Sequence, residues 1–499
     1  MIHKLLLLAI ISSLTLKNIW AQELKQTRIE IEVDSWTENH KIIPAAKFGV
    51  GVLNETEIKR IPKFDTWNFD LYDTLLHKTW STEININKRL VFDEYVVNQN
   101  WIHLIFTNGK SGIASIVTID LVEKSVSEFD IKVNKYFYLS KPYARLNNMY
   151  LEGRLKTKQV IYYVNLTQKT SQLIPLDLPG ITDVESIEFN SKNEANVVMS
   201  NYYKKFGQLH IRTFKGANQT NEVILKPKED YNLLDGKIMT LNNNKQVVLG
   251  TYAIGKGSSS GMYFSTLKNG NQDITKYYNF TDFNNFFSYL SEKKQEKIER
   301  KKERAKARDK ELDFSYQLLV HDLIFKNNEY IMVAEAYYAT YRVETYYTSV
   351  PNGNGGFSTV MQTRTVFDGW LYSHAVIAGF DENGNKLWDN SFEMGDFKTF
   401  RLKERVKVNN KGEKIELIYA GAGNTIYTKT IKGSNIIDEK ESSKIENLLE
   451  DDEFKIGIST SMENWYDNYF IASGLSKIKN KELENNKKRK VFYINKIEY

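Results

Sequence analysis

Short apolar or aromatic runs alternate with polar turns rich in Gly, Asn and Lys along most of the chain. Each of six stretches reads as a strand, a turn and a second strand, which is the pattern of a β-hairpin. The six hairpins lie at 114–131, 159–178, 207–225, 261–280, 373–392 and 423–441. In the clearest of them, GFDENGNKLWDNSF (379–392), an Asn383-Gly384 pair provides the turn. Their recurrence indicates a repeated structural unit.

A further strand precedes each hairpin, usually after a turn of Asn and Lys. These strands begin near residues 98, 146, 191, 241, 326 and 409, and a seventh near 463 leads to KVFYINKIEY at the C-terminus. The spacing of about 45 to 55 residues, apart from insertions, is the period of a four-stranded propeller blade. The pattern therefore predicts an all-β fold, a β-propeller of about seven blades.

The seventh unit lacks a last strand, which would leave a blade edge exposed. We expect the N-terminal segment 22–97 to supply a closing strand, from 27–36 or from the hairpin-like stretch 45–64, and residues 98–499 to form the propeller. Two alternatives stay open. One is a ring of eight blades in which 45–64 belongs to its own blade, and the other is a pair of stacked β-sandwiches.

The segment FDENGNKLW resembles the outer hairpin of quinoprotein-type propellers, with Asp381, Gly384 and Trp388 in the places of the recurring acid, glycine and docking tryptophan. The other hairpins lack this tryptophan pattern, so the resemblance implies the propeller architecture and no quinone. The bias toward Lys, Asn, Ile and Tyr is similar to that of uncharacterised secreted propellers of Bacteroidota. We expect no cofactor.

Residues 1–21 have the form of a secretory signal peptide, with a basic start, the apolar run LLLLAIISSLTL and a cleavage point near Ala21. Cysteine is absent, which excludes disulfides and the lipidated cysteine of a lipoprotein. We therefore expect an exported protein, periplasmic or extracellular, that does not span the membrane. The net charge of +6 is small for 499 residues, so nucleic acid is not an expected partner.

Two insertions interrupt the repeat. Residues 288–314 are rich in strong helix formers and lack an apolar stripe, so we predict a solvated charged helix. Residues 341–370 alternate Tyr, Thr and Val around PNGNGG and predict a long two-stranded arm. Its aromatic residues form a candidate interaction surface, unless the arm folds back on its own blades: Tyr341, Tyr346, Tyr347, Phe357, Phe367 and Trp370.

Catalytic motifs are absent from the sequence. The histidines lack zinc spacing, and His103, His210 and His374 lie in predicted strands, where a structural role is expected. We predict no metal site, and no nucleophile turn of the G-x-S-x-G type occurs. The acidic residues Asp322, Asp368, Asp389 and Glu335 are available, but no spacing selects a catalytic pair, so the catalytic residues remain unassigned.

Together these features favour an exported binding or scaffold module that presents the aromatic arm to an envelope protein or a glycan. The alternative is a glycan-active hydrolase or lyase with acids around the central channel of the ring. Inward-facing acids and aromatics at one mouth of the channel would favour the enzyme. The oligomeric state is open.

Overall fold

Eight antiparallel sheets form the protein, a β-propeller. The computed structural model describes residues 24–499 apart from 36–38, 62, 205, 243–244, 309–311, 313, 352, 354, 411 and 483–487. The signal peptide expected at 1–21 lies outside the described residues. We number the sheets as blades 1 to 8 in the chain order of their first strands.

Blades 1 to 4 each contain four consecutive strands. Blade 1 contains β2 (His40–Pro44), β3 (Val50–Ile61), β4 (Phe64–Tyr72) and β5 (Lys78–Asn87). Blade 2 contains β6 (Val91–Asn98), β7 (Trp101–Thr107), β8 (Ile113–Asp120) and β9 (Ser125–Lys132). Blade 3 contains β10 (Phe137–Arg145), β11 (Asn148–Leu155), β12 (Lys158–Asn165) and β13 (Thr170–Ile174). Blade 4 contains β14 (Ile181–Phe189), β15 (Ala195–Tyr203), β16 (Phe206–Lys215) and β17 (Asn218–Leu225).

In blades 5 and 6 the first strand is split in two, and blade 8 combines both ends of the chain. Blade 5 contains β18 (Tyr231–Leu233), β19 (Lys237–Asn242), β20 (Lys245–Ile254), β21 (Gly261–Lys268) and β22 (Asn271–Asn279). Blade 6 contains β23 (Gln317–Val320), β24 (Ile324–Lys326), β25 (Glu329–Pro351), β26 (Phe357–Phe380) and β27 (Lys386–Thr399). Blade 7 contains β28 (Lys407–Asn409), β29 (Ile415–Ala420), β30 (Thr425–Lys432) and β31 (Asn435–Lys444). Blade 8 contains β32 (Asp452–Asn464), β33 (Tyr469–Asn480), β34 (Lys488–Glu498) and β1 (Lys25–Glu32).

Eight hydrophobic cores join neighbouring blades and close the ring. Each core combines apolar side chains from two consecutive blades; the core between blades 1 and 2, for example, contains Phe69 and Phe106. The same holds for each later pair of blades through to blades 7 and 8. The last core joins blade 8 back to blade 1, with Phe492 beside Val52. Burial between neighbouring sheets thus stabilises the ring without disulfides.

The N-terminal strand closes the ring, as the sequence predicts. β1 pairs with β34 over its whole length, from Lys25 opposite Glu498 to Glu32 opposite Val491. It is therefore the outermost strand of blade 8 and covers an edge that would otherwise be exposed.

The blade count is eight, so the prediction of about seven is one too few and the eight-bladed alternative is the observed one. Residues 40–87 form a complete blade of their own, in which β3 (Val50–Ile61) pairs with both β2 and β4. The other candidate, 27–36, supplies the closing strand. Both N-terminal stretches therefore belong to the ring, in different blades.

The six predicted hairpins are the outer two strands of their blades. The hairpin at 379–392 belongs to blade 6 as the end of β26 and the start of β27. Its turn is tight because Asp381 Oδ1 accepts hydrogen bonds from the backbone N–H groups of Asn383 and Asn385, at 2.9 and 2.7 Å. Gly384 has φ 74° and packs on Phe264 of blade 5. The partly buried Trp388 donates to Glu329 Oε2 at 2.7 Å.

The first insertion, between blades 5 and 6, begins as a packed segment and ends as an exposed helix. A 3-10 helix at Phe280–Asp282 is followed by a run of phenylalanines buried in the core between these blades. The helix α1 then spans Glu292–Lys306, shorter than the predicted 288–314, and has no buried residue. The flanking residues 288–291 instead pack against blade 6, for example through the Ser288 and Ser391 hydroxyls at 2.5 Å.

Candidate functional site

The arm, residues 341–370, projects from blade 6 as a two-stranded ribbon. β25 and β26 stay in one register from Tyr341 opposite Phe367 to Pro351 opposite Phe357. β27 pairs with β26 only from Trp370 onward along the chain. Between Tyr341 and Phe367, no other described strand pairs with the ribbon. The arm therefore does not fold back on its own blades along this length.

The two faces of the arm differ in chemistry. Residues opposite each other in an antiparallel pair share a face, and the face alternates along each strand. The five apolar arm side chains that are more than 60% exposed all lie on one face, which we call the apolar face; Phe367, 40% exposed, completes it. These six side chains are Tyr341, Val343, Tyr347, Phe357, Met361 and Phe367.

The opposite face, which we call the polar face, carries ion pairs and hydrogen bonds alongside Val350, Val360 and Val366. Glu344 bridges Arg342 and Arg364, at 2.6 and 3.0 Å, and these hydrogen bonds lower the pKa of the Glu344 carboxyl. The Tyr346 hydroxyl donates to Gln362 Oε1 at 2.8 Å, and the Arg364 guanidinium lies over the Tyr346 ring. Tyr346 is thus a polar-face residue, whereas Tyr341, Tyr347, Phe357 and Phe367 of the same candidate interaction surface lie on the apolar face.

Trp370 lies at the foot of the arm rather than on its exposed part. Its ring contacts Phe367, with centroids 5.1 Å apart, and Tyr337, at 5.4 Å. Phe367 in turn contacts Tyr341 at 6.1 Å. Trp370 and Tyr337 are partly buried against the core between blades 6 and 7. A continuous row of rings thus anchors the apolar face to the propeller body.

A cavity of about 680 Å³ opens at the foot of the arm, where the first insertion meets blade 6. That volume falls within the range of small-molecule sites. Five of the fifteen residues that line the cavity are tyrosines: Tyr289, Tyr316, Tyr337, Tyr338 and Tyr372. Tyr289 is held in place because its ring stacks on His374 at 4.0 Å and its hydroxyl is 3.0 Å from that of Tyr316.

The first strands of the blades face the axis of the ring, and their side chains meet across it. Burial opposes ionisation of Asp322 in blade 6, yet Lys237 of blade 5 and Lys141 of blade 3 hold its pKa below the ordinary value. The Asp322 side chain is nevertheless 76% exposed. We call this solvent-accessible space, bounded by the first strands, the axial channel.

Several acids in the axial channel have raised pKa values. Burial, and secondarily the neighbouring Asp235, raise the pKa of Glu185 to about 8, so this carboxyl group is largely protonated at neutral pH. Ser200 Oγ donates to Glu185 Oε1 at 2.5 Å. Burial also raises the pKa of Glu152, whose carboxyl accepts a hydrogen bond from Tyr143 at 3.2 Å. Inward-facing acids beside a tyrosine are the feature that the enzyme alternative requires.

Glu185→Gln should change the pH dependence of stability. The folded pKa of about 8 exceeds the unfolded value of about 4.3. The protonated carboxyl therefore stabilises the fold fully below about pH 4, and this contribution is lost as pH rises to about 8. We expect the free energy of unfolding of the wild type to fall by a few kcal/mol between pH 5 and pH 8 relative to Glu185→Gln. Urea denaturation at both pH values, with the exposed Glu123→Gln as control, measures this. Equal slopes for all three proteins would contradict it.

The three strand histidines are buried and hydrogen-bonded. Burial lowers the pKa of His103 to about 4 and that of His374 to about 3, so both are neutral at physiological pH. His103 contacts Thr118 Oγ1 and His210 contacts Glu222, each at 2.9 Å. These contacts fit the structural role expected from the sequence.

The four acids available for catalysis have different surroundings. Asp322 lines the axial channel, whereas Asp368 pairs with Lys398 beside the arm. Asp389 is buried and accepts the backbone N–H groups of residues 284 and 285. Glu335 is buried against His321, at 2.8 Å.

The described residues contain no group of three or more acidic or histidine side chains placed to hold a metal ion. Within the same part of the chain, no helix is both long and apolar enough to cross a membrane.

One group of charged residues was not predicted from the sequence. Arg401, Lys403, Arg405 and Lys407 occupy alternate positions between β27 and β28 and lie near the charged groups of blades 1, 2 and 8. The alternation is visible in RLKERVK, but its neighbours in space come from remote parts of the chain.

Neither a protein-family model nor a curated protein matches this sequence. Solved structures with similar folds include the WD40 domain of SCAP from fission yeast (TM-score 0.43, 9% identity, 95% of this chain and 98% of that one). Others are the polysaccharide lyase Uly1 (TM-score 0.38, 9% identity, 82% and 90%) and the β-propeller domain of the Trilobed protease from Pyrococcus furiosus (TM-score 0.36, 8% identity, 81% and 97%). The assignment of this chain as a β-propeller rests on its eight sheets and the closed series of cores between them.

Proposed function

We propose that this protein is an exported binding module whose arm docks onto a partner protein of the cell envelope. The observation that carries the proposal is that the most exposed apolar side chains of the arm lie on one face, opposite the face that carries its ion pairs. The six apolar side chains present roughly 600 Å² to solvent, at the upper end of the largest apolar patches on monomeric proteins, which are often functional.

A protein surface suits the apolar face better than a glycan does. Sugars stack on aromatic rings and need amides or carboxylates beside them for their hydroxyl groups. The apolar face instead includes the aliphatic Val343 and Met361, and its polar positions are Thr or Ser hydroxyls, as at Thr345, Thr363 and Ser349. Rigid aromatic and Met side chains are typical of the centres of protein interfaces.

Site-specific photo-crosslinking tests this proposal. A photoreactive phenylalanine analogue placed at Tyr347, on the apolar face, should capture an envelope protein in cells, whereas the same analogue at Tyr346, on the polar face, should not. With the captured protein purified, Met361→Asp should weaken the binary complex at least tenfold, since it places a charge in an apolar contact. Gln362→Asp, its neighbour on the polar face, serves as the matched control and should leave the affinity within twofold.

The same experiment contains the outcomes that contradict the proposal. Equal crosslinking from Tyr346 and Tyr347, or equal loss of affinity in Met361→Asp and Gln362→Asp, would remove the apolar face as the contact. A crosslink to glycan or to a second copy of this chain would replace the proposed partner.

A glycan-active hydrolase or lyase is the second candidate function. The observation that favours it is the protonated Glu185 beside Asp235, together with Tyr143 and Glu152, in the axial channel. Activity that persists in arm variants and is abolished by Glu185→Gln would select this candidate.

A further inference from the structure

The cavity at the foot of the arm is bounded by parts of the chain that are remote in sequence. Its walls come from the first insertion with the start of α1, from β25, β26 and β27 of blade 6, and from the residues that lead into β23. Ser258, in the connection between β20 and β21 of blade 5, completes the lining. The lining includes none of the apolar-face residues of the arm and none of the acids of the axial channel.

Hydrogen bonds and a ring contact hold the walls of this cavity in place. Ser259 and Tyr316 exchange two backbone hydrogen bonds, each of 2.9 Å, which join blade 5 to the start of blade 6. The Tyr372 hydroxyl donates to the backbone carbonyl of Lys403 at 2.8 Å and accepts from its N–H at 3.1 Å. Tyr289 is fixed by its stacked neighbour, as described above. The cavity is therefore preformed, which lowers the cost of ordering it when a ligand binds.

Two of the tyrosines offer ring surface to a ligand. His374 covers one face of the Tyr289 ring, at 4.0 Å, and leaves the opposite face for the cavity that this residue lines. Tyr338 is 50% exposed, and among the described residues no other ring contacts it. Such rings provide flat apolar area at a small cost in side-chain entropy, which suits the C–H faces of sugar rings.

The polar side chains of the lining match hydroxyl groups rather than a charged ligand. Gln317 and Ser315 are exposed, and neither side chain hydrogen-bonds to another residue in the part of the chain that the structure describes. An amide and a hydroxyl each donate and accept, as a sugar hydroxyl does. The lining contains one cation, Lys294, and one acid, Glu393, whose side chain is 51% exposed. The lining therefore carries no excess charge of either sign.

We propose that this cavity binds the neutral sugar units of a saccharide chain. Tyr289 and Tyr338 lie against the faces of the sugar rings, and Gln317 and Glu393 hydrogen-bond to their hydroxyls. The amide and the carboxylate are the groups that the apolar face of the arm lacks. Because about 680 Å³ exceeds what one sugar ring fills, the ligand is a short chain or a chain end. The site requires no catalysis and gives the protein a ligand beyond the partner of the arm.

Calorimetric titration of the purified protein tests the proposal with neutral trisaccharides: maltotriose, cellotriose, mannotriose and triacetylchitotriose. Trigalacturonate is the charged probe. The wild type should bind at least one neutral probe more tightly than trigalacturonate, with an affinity that does not change with salt. Tyr338→Ala should weaken that binding at least tenfold by removing a ring face, and Gln317→Ala about three- to tenfold by removing hydrogen bonds. Tyr347→Ala, an exposed tyrosine farther along the same strand, is the matched control and should leave the affinity within twofold.

Four results would overturn the proposal. They are no binding of any neutral probe at millimolar concentration, tighter binding of trigalacturonate, equal weakening by Tyr338→Ala and Tyr347→Ala, or undiminished binding in both Tyr338→Ala and Gln317→Ala. Thermal melting first compares each variant with the wild type, and Tyr338→Leu, which keeps apolar bulk without a flat ring, replaces a Tyr338→Ala protein that has lost its cooperative transition. Because crosslinking from the arm does not involve this cavity, failure here leaves the proposed arm function standing.

Discussion

Removal of residues 24–33, which include β1, is expected to abolish the cooperative fold of the whole protein. β1 supplies the outer strand of blade 8 and also connects that blade to both neighbours. Leu24 lies in the core between blades 7 and 8, and Val33 in the core between blades 8 and 1. Without β1 the ring loses an edge strand and part of two cores at the only place where its ends meet.

A buried ionic network adds to this loss. Arg28 Nε donates to Glu30 Oε1 at 2.8 Å, and Glu30 Oε2 accepts from Arg489 Nε at 3.0 Å. Arg489 also binds Asp452 through both of its terminal nitrogens. Deleting β1 removes the Glu30 carboxylate from Arg489, and the loss of these charge-assisted hydrogen bonds costs about 1.5–3 kcal/mol.

Thermal melting followed by circular dichroism, with size-exclusion chromatography, measures the effect of the deletion. The truncated protein should lack a cooperative transition or elute as an expanded or aggregated species. A synthetic peptide of residues 24–35 added in trans should restore part of the transition, which controls for damage unrelated to the strand. A truncated protein that melts at the wild-type temperature would refute closure by β1.

Much of this architecture follows from local patterns. Each hairpin is specified by two alternating strands and a turn, so all six could be located, and the outer strand missing from the last unit pointed to closure by the N-terminus. The count failed at blade 1, because residues 56–63 lack the Gly and Asn turn that marked other hairpins. The range predicted for helix α1 was also too long, because composition does not reveal that residues 288–291 pack against blade 6.

The sequence prediction for the arm grouped six aromatic residues in one candidate surface without dividing them between its two faces. Side chains alternate between the two faces of a strand, which places Tyr341 and Tyr347 on one face and Tyr346 on the other. This rule could have been applied to the sequence alone. The position of Trp370 could not be predicted, because its burial depends on Tyr337 and on the core between blades 6 and 7. The charged groups that meet at the axial channel could not be predicted from the sequence, because they come from remote parts of the chain. Lys41 and Lys403, for example, are more than 350 residues apart.

Glu335 is a buried carboxylate that holds the connection between blades 6 and 7 in place. Its side chain is fully buried on β25, and Oε1 accepts hydrogen bonds from the backbone N–H groups of Arg405 and Val406, at 2.7 and 2.8 Å. The same oxygen lies 2.8 Å from His321 Nε2. One carboxylate oxygen therefore joins the connection between blades 6 and 7 to two elements of blade 6.

Glu335→Ala should consequently destabilise the protein by about 3–5 kcal/mol, because it leaves His321 and two buried N–H groups without their acceptor. Glu335→Gln keeps an acceptor oxygen at the same position and should cost about 1–2 kcal/mol. Urea denaturation at pH 7 measures both. Because Glu335→Gln removes the charge and keeps an acceptor oxygen, a smaller loss in this variant than in Glu335→Ala separates the role of the acceptor from that of the charge. A silent Glu335→Ala variant would contradict this role, since it would mean that the segment 401–407 keeps its path without the buried acceptor.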